Sequence, residues 1–228
     1  MSSSFHVVRT EKKFRITHIK KSMLIDRLSY IMSADEHSNL DGYPVRSLYF
    51  DSIYDDDYMD KLNGLEYRKK IRLRIYSPDN DAVKLEMKEK RGAVQRKKTV
   101  WIPKSVAQEM IKGNYSGLLD VKTQFTDELY CILESGLYRP KCIIEYHRVA
   151  FMERSNDIRV TFDSNIGVSS NVNAFFDKDI SYIPVLFEPV LEVKYNGFLL
   201  SNIRSALELA DASELSVSKY TMSRELIQ

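Results

Sequence analysis

Apolar and charged residues alternate at every second position through much of the first half of the chain. In Arg68-Lys69-Lys70-Ile71-Arg72-Leu73-Arg74-Ile75-Tyr76 the even positions are charged or polar, while Ile71, Leu73 and Ile75 occupy odd ones. A period of two predicts a strand, with Lys70, Arg72 and Arg74 in one row and an apolar layer behind them. Val83, Leu85 and Met87 alternate in the same way with Lys84, Glu86 and Lys88, and Arg91-Gly92-Ala93 is expected to turn the chain into a partner strand over 94–102. Further strands are expected over 5–17, 43–51, 140–153, 158–163 and 186–195.

Helical spacing appears between these strands: Leu24, Leu28 and Ile31; Phe125, Leu129, Ile132 and Leu133; and Leu199, Leu200, Ile203, Ala206, Leu207 and Ala210. With 228 residues and no linker or repeat, the chain is read as one α+β domain, an antiparallel sheet with helices packed on it.

Charge changes this picture. The net charge is only +2, yet between Glu66 and Lys98 twelve cations face five anions, a local +7 that leaves −5 for the rest of the chain. Concentration of that kind implies an anionic partner. No apolar run approaches the roughly 18 residues of a spanning helix, and Met1-Ser2-Ser3-Ser4 does not open an export signal. A cytoplasmic protein with no membrane partner is expected, and Cys131 and Cys142, without metal-ligand spacing, are expected to be reduced core thiols.

Several strands carry a mixed charged face opposite a good core face, which predicts a sheet closed into a barrel, helices outside and a cationic lumen inside. Crowded cations repel unless a polyanion occupies the lumen, and a phosphate chain meets that demand. Arg9, Glu11, Lys13 and Arg15 share one strand face, and Glu-x-Lys recurs as Glu86-Met87-Lys88 and Glu192-Val193-Lys194. A carboxylate set among phosphate-binding cations has a use in holding a divalent cation, which makes Glu11, Glu86 and Glu192 metal candidates. Tyr146 with Arg148, and Arg159 with Thr161 and Asp163, form further faces whose guanidinium forks suit phosphate oxygens, with surface ion pairing as the plain alternative. Asp55, Asp56 and Asp57 are read as acids opening a helix, and Tyr49, Phe50, Trp101 and Phe162 as core. The interleaved carboxylates argue against a nucleic-acid partner, since a backbone-tracking groove gains nothing from them.

The ordered set Arg9-x-Glu11-x-Lys13-Phe14, Val45-Arg46-Ser47-Leu48-Tyr49-Phe50-Asp51, Tyr58-x-x-Lys61-x-x-Gly64, Arg68-x-Lys70-x-Arg72-x-Arg74-x-Tyr76, Leu85-Glu86-x-Lys88, Tyr146-x-Arg148-x-Ala150-Phe151, Arg159-Val160-Thr161-x-Asp163, Leu191-Glu192-Val193-Lys194 and Ser218-Lys219-Tyr220 resembles a known family. It is similar, along nearly the whole chain, to the catalytic domain of the vacuolar transporter chaperone (VTC) polyphosphate polymerases, within the CYTH-like triphosphate tunnel metalloenzyme superfamily.

The resemblance implies a tunnel barrel that takes ATP with Mn²⁺ or Mg²⁺ and adds its γ-phosphate to inorganic polyphosphate, with pyrophosphate or phosphate as primer. Carried onto this sequence, it makes Lys13, Arg72, Arg74, Lys88, Arg148, Arg159 and Lys219 catalytic, and Tyr146 and Ser218 substrate-binding, with Glu192 on the metal. Arg9, Lys70 and Lys194 join the substrate-binding set, as do Arg96 and Lys98, preferred over Lys97 because they share a face. Hydrolytic relatives open with Glu-x-Glu-x-Lys, whereas Arg9 stands at the first acidic position here, which favours transfer over hydrolysis. The sensing domain and membrane helices of the eukaryotic polymerases are not in this sequence, which looks like a stand-alone bacterial form. A triphosphatase or polyphosphatase, and a polyphosphate-binding module without turnover, remain as alternatives.

Overall fold

The computed structural model describes residues 9–35, 41–92, 94–208, 214 and 218–227. The chain divides into two compact units. Among the described residues no helix is long and apolar enough to cross a membrane.

The first unit comprises residues 1–44, 146–166 and 186–218. Here β1 (Arg9–Arg15) pairs antiparallel with β10 (Val190–Asn196), and β10 pairs antiparallel with β8 (Ile158–Ser169). The short β2 (Ser33–Ala34) lies against β7 (Tyr138–Glu153). Val160, Phe162, Leu191 and Val193 face one way and pack with Leu24 and Leu28 of α1 (His18–Ser29) and Ile203 and Ala206 of α5 (Ser201–Leu207). Thr17 starts α1 by accepting the Lys20 amide at 3.2 Å.

The second unit comprises residues 45–145, 167–185 and 219–228. Here β3 (Tyr43–Ser52) pairs antiparallel with β4 (Tyr67–Ile75), β4 with β5 (Ala82–Arg91), and β5 with β6 (Val94–Pro103). Leu48, Phe50, Ile71, Leu73, Ile75, Val83, Leu85 and Met87 form one apolar layer against α3 (Lys104–Ile111) and α4 (Gln124–Ser135). Each such side chain taken from water contributes about 1.5–3 kcal/mol, so this face is committed to the core and the charged face must look away from the helices. Two further helices, α2 (Asp56–Leu62) and α6 (Lys219–Ile227), also belong to this unit, and β9 (Ile183–Leu186) pairs with β8.

The α+β class, the antiparallel sheet and the helices on its apolar faces are as expected. Closure by backbone ladders is not: among the described residues β1 pairs only with β10, apart from a single bridge from Phe14 to Glu214, and β6 pairs only with β5. Both edges are protected by charge instead. Lys12 reaches Glu214 at 3.4 Å, and β6 exposes Gln95, Arg96 and Lys97. The strand expected over 5–17 is described only from Arg9. Of the two expected core thiols, Cys142 is buried, but Cys131 is exposed, because Leu129 and Leu133 take the inward side of α4.

Candidate functional site

In the second unit the register sets Lys70, Lys88 and Lys97 side by side on β4, β5 and β6, then Arg72, Glu86 and Thr99, then Arg74, Lys84 and Trp101. Successive rows lie about 6.8 Å apart along the strands. The turn fixes this register: Gly92, at φ +58°, sits in a two-residue connection that pairs Arg91 with Val94. Ala93 lies outside the described residues.

Glu86 is the hub of this face and is 1% exposed. Arg72 donates to it from Nε at 2.7 Å and from Nη1 to the Tyr49 hydroxyl at 2.9 Å; Arg74 Nη1 lies 3.7 Å from the same carboxylate, and Lys97 is also ion-paired with it. Burial alone would raise the Glu86 carboxyl, but Arg72, Arg74 and Lys97 hold it well below the ordinary range. Burial lowers the Lys97 ammonium, with Glu86 opposing that shift. Three neighbouring cations thus surround the Glu86 carboxylate, which serves as the counter-ion that holds two guanidiniums in place.

Aromatic rings support the same face. Tyr220 stacks on Tyr49 with centroids 4.9 Å apart, and the Lys70 ammonium lies 5.6 Å from the Tyr220 ring centre. Tyr220 is the second residue of α6, directly after Lys219, and its hydroxyl donates to Asp51 at 2.7 Å. Arg224, one turn on, reaches Asp55 at 2.8 Å. Asp51 also accepts the Asp57 and Tyr58 amides at 2.9 and 3.0 Å, so Asp51 caps α2 from the end of β3, while Asp55 adopts φ +62° and pairs with Lys141 and Arg224. Asp57 is buried against Tyr138 (3.0 Å) and Lys69 (3.2 Å), and burial, with Asp51 adding, pushes its carboxyl up to about 7.

In the first unit the register sets Glu11 opposite Lys194 and Lys13 opposite Glu192, with Thr161 and Arg159 continuing the face on β8. Lys13 lies 2.8 Å from Glu11, and Lys194 is paired with Glu192 and lies 3.8 Å from Glu11. Arg148 donates its fork to Asp163 at 2.7 and 2.8 Å, beneath the Tyr146 ring at 5.1 Å. Arg159 donates to Asp35, which the Tyr43 hydroxyl also reaches at 3.3 Å. Gly42 passes so close to the Arg148 carbonyl that an added Cβ would stand 2.4 Å from it. Thr161 Oγ1 and Arg159 Nε are buried without a hydrogen-bond partner.

The structure therefore gathers Lys70, Arg72, Arg74, Glu86 and Lys88 in one unit, and Glu11, Lys13, Arg148, Arg159, Glu192 and Lys194 in the other. The expectation for Arg96 and Lys98 is corrected. Both lie on the face opposite Lys88, Lys98 bonds Glu128 of α4 at 2.5 Å, and Lys97 takes the place assigned to them. The Arg9 backbone pairs with Asn196, while its side chain lies outside the described residues. Trp101, expected in the core, is 52% exposed on the charged face. Sequence reasoning missed α6 as a helix and with it the Asp51–Tyr220 anchor.

Among the described residues no three metal-ligating side chains cluster. Glu192, opposite Thr161 with its unpartnered hydroxyl, and Glu11, one row along the same face, are carboxylates that would fit a hard cation taking its remaining ligands from phosphate oxygens and water.

A family model for the VTC domain matches residues 8–228. No curated protein sequence matches the chain. Among solved structures, a candidate adenylyl cyclase from Hippeastrum, described as having a dominant triphosphatase activity, is similar with a TM-score of 0.58 and 13% identity over 94% of each chain. A candidate adenylate cyclase from Bacillus halodurans is similar with a TM-score of 0.54 and 14% identity over 92% of this chain and 94% of that one. One from Vibrio parahaemolyticus has the same TM-score at 13% identity over 94% and 97%. At these identities the likeness establishes the fold.

Proposed function

The chain belongs to the VTC domain family, with the fold of the triphosphate tunnel proteins, and from that premise we propose that it is a metal-dependent polyphosphate polymerase transferring the γ-phosphate of ATP to inorganic polyphosphate. The observation that carries this reading is the face of β4, β5 and β6, where Lys70, Arg72, Arg74, Lys84, Lys88 and Lys97 surround the single carboxylate Glu86. Guanidinium and ammonium groups repeating along strands match the repeating charge of a phosphate chain, and the rigid ion pairs to Glu86 orient the forks before substrate arrives.

Phosphoryl transfer through a loose transition state asks for alignment and charge stabilisation rather than a strong general base. A terminal oxygen of the acceptor phosphate attacks the γ-phosphorus in line as ADP leaves. Arg72 and Arg74 would hold phosphate oxygens, with Lys70, Lys88 and Lys219 neutralising the charge that spreads over them. Lys13, Arg148, Arg159, Tyr146, Lys194, Ser218 and Arg9 are proposed to contribute further phosphate contacts. Glu192 and Glu11 would hold Mn²⁺ or Mg²⁺, which when bound neutralises charge on phosphate oxygens. A triphosphatase reading draws on the Hippeastrum relative, and Arg9, at the position where hydrolytic members carry an acid, weighs against it.

The test is incubation of the protein with γ-labelled ATP and Mn²⁺, with and without pyrophosphate, and separation of the products by size. A ladder of long labelled polymers is expected. Label recovered only as free phosphate would assign a hydrolase, and ATP left intact with every divalent metal would assign a binding module.

A further inference from the structure

Trp101 is the chain's single tryptophan, and it sits where neither the core nor the phosphate face requires an aromatic ring. Its neighbours on β6 show what the core uses: Ile102 is buried and Val100 packs against the apolar layer, both on the opposite face. Trp101 projects instead to the charged side, 52% exposed, in register with Lys84 and, one strand further, Arg74. The Lys84 ammonium lies 5.3 Å from the indole centre. Tyr49 and Tyr220, the rings that lie against Arg72 and Lys70, are buried, so neither offers a plane to a ligand. Arg74 and Trp101, two strands apart, are separated by about 10 Å, comparable to the reach from a purine ring to the middle of its triphosphate.

We propose that Trp101 is the stacking platform for the base of a nucleoside triphosphate, with Lys84 beneath the link between nucleoside and phosphates and Arg74 and Arg72 on the phosphates themselves. This rests on the reading that the β4–β6 face binds phosphates and adds what distinguishes the nucleotide donor from the inorganic chain. A base has a π-face whatever its identity, so the platform favours nucleotide over inorganic phosphate with little preference among bases. The inorganic chain uses the cationic rows without touching the indole.

The experiment titrates the protein, in Mg²⁺, with ATP and separately with inorganic tripolyphosphate, reading tryptophan emission and calorimetric heat in parallel. Both ligands are expected to release heat, and only ATP to change the emission saturably. Trp101→Leu should weaken ATP about tenfold, ~1.4 kcal/mol, and leave tripolyphosphate within about twofold, while Trp101→Phe recovers most of the ATP affinity. Heat from ATP with no change in emission, or equal weakening of both ligands by Trp101→Leu, would overturn the platform and leave the phosphate face standing. Absence of heat with either ligand would overturn the phosphate-binding reading and the platform together.

Discussion

The two units carry charged faces of opposite logic. In the first, carboxylates and cations nearly balance: Glu11, Glu192, Asp163 and Asp35 are paired with Lys13, Lys194, Arg148 and Arg159. In the second, Arg72, Arg74 and Lys97 share the single carboxylate of Glu86, and Lys70, Lys84 and Lys88 extend the same face. A balanced face satisfies itself and can exchange a cation partner for a metal. A face with excess cation is self-repelling, so an anion gains most by binding there. In the proposed function the balanced face supplies the carboxylates for a metal and the cation-rich face the larger share of the phosphate contacts, although both faces are built from the same alternating pattern.

The largest expected effect comes from breaking the balanced face. Glu192→Gln should abolish metal-dependent turnover while thermal melting stays nearly unchanged, because the amide keeps the volume; undiminished turnover would remove Glu192 from the mechanism. Next comes the cation-rich face, where Arg72→Ala should lower kcat/KM about 100- to 1000-fold, or ~3–4 kcal/mol, as expected for a preorganised charge-stabilising donor.

A pH titration of stability sharpens the comparison within the second unit. Asp57, raised to about 7 from 3.8, binds its proton more tightly folded than unfolded. Its favourable contribution is therefore complete below about pH 4 and is lost as pH rises through 7, with a slope of at most ~1.4 kcal/mol per pH unit. Glu86 runs the other way: its pairs stabilise the fold above its ordinary value of 4.5 and are lost on acidification. Denaturant unfolding should show the falling limb between pH 4 and 7 flatten in Asp57→Asn. The smallest effect separates two adjacent lysines. Lys98→Ala, which removes a half-exposed pair with Glu128, should change stability by about 0.5 kcal/mol or less and leave tripolyphosphate affinity alone. Lys97→Ala should weaken that affinity several-fold in the same calorimetric titration.

The cation-rich face was readable because strand alternation is a local property: once Ile71, Leu73 and Ile75 are core, Lys70, Arg72 and Arg74 have no other side to occupy. Lys97 was not, because three consecutive cations, Arg96-Lys97-Lys98, carry no alternation of their own. Their facing depends on the hairpin: a three-residue turn would set Lys88 against Arg96, and the two-residue turn found sets it against Lys97. Helix α6 escaped notice for a different reason. Its hold on the unit is largely polar, through Tyr220 to Asp51 and Arg224 to Asp55, partners 169 residues apart in the first case, and hydrophobic periodicity does not register such contacts. Trp101 was misplaced because a tryptophan within a strand pattern reads as core until the register shows which face it shares.

The most direct measurement is the crystal structure of the protein soaked with tripolyphosphate. The account predicts phosphate density within hydrogen-bonding distance of Arg72 and Arg74, with ammonium groups from Lys88 and Lys97 alongside. A bound tripolyphosphate that makes no contact with Arg72 or Arg74 would contradict it.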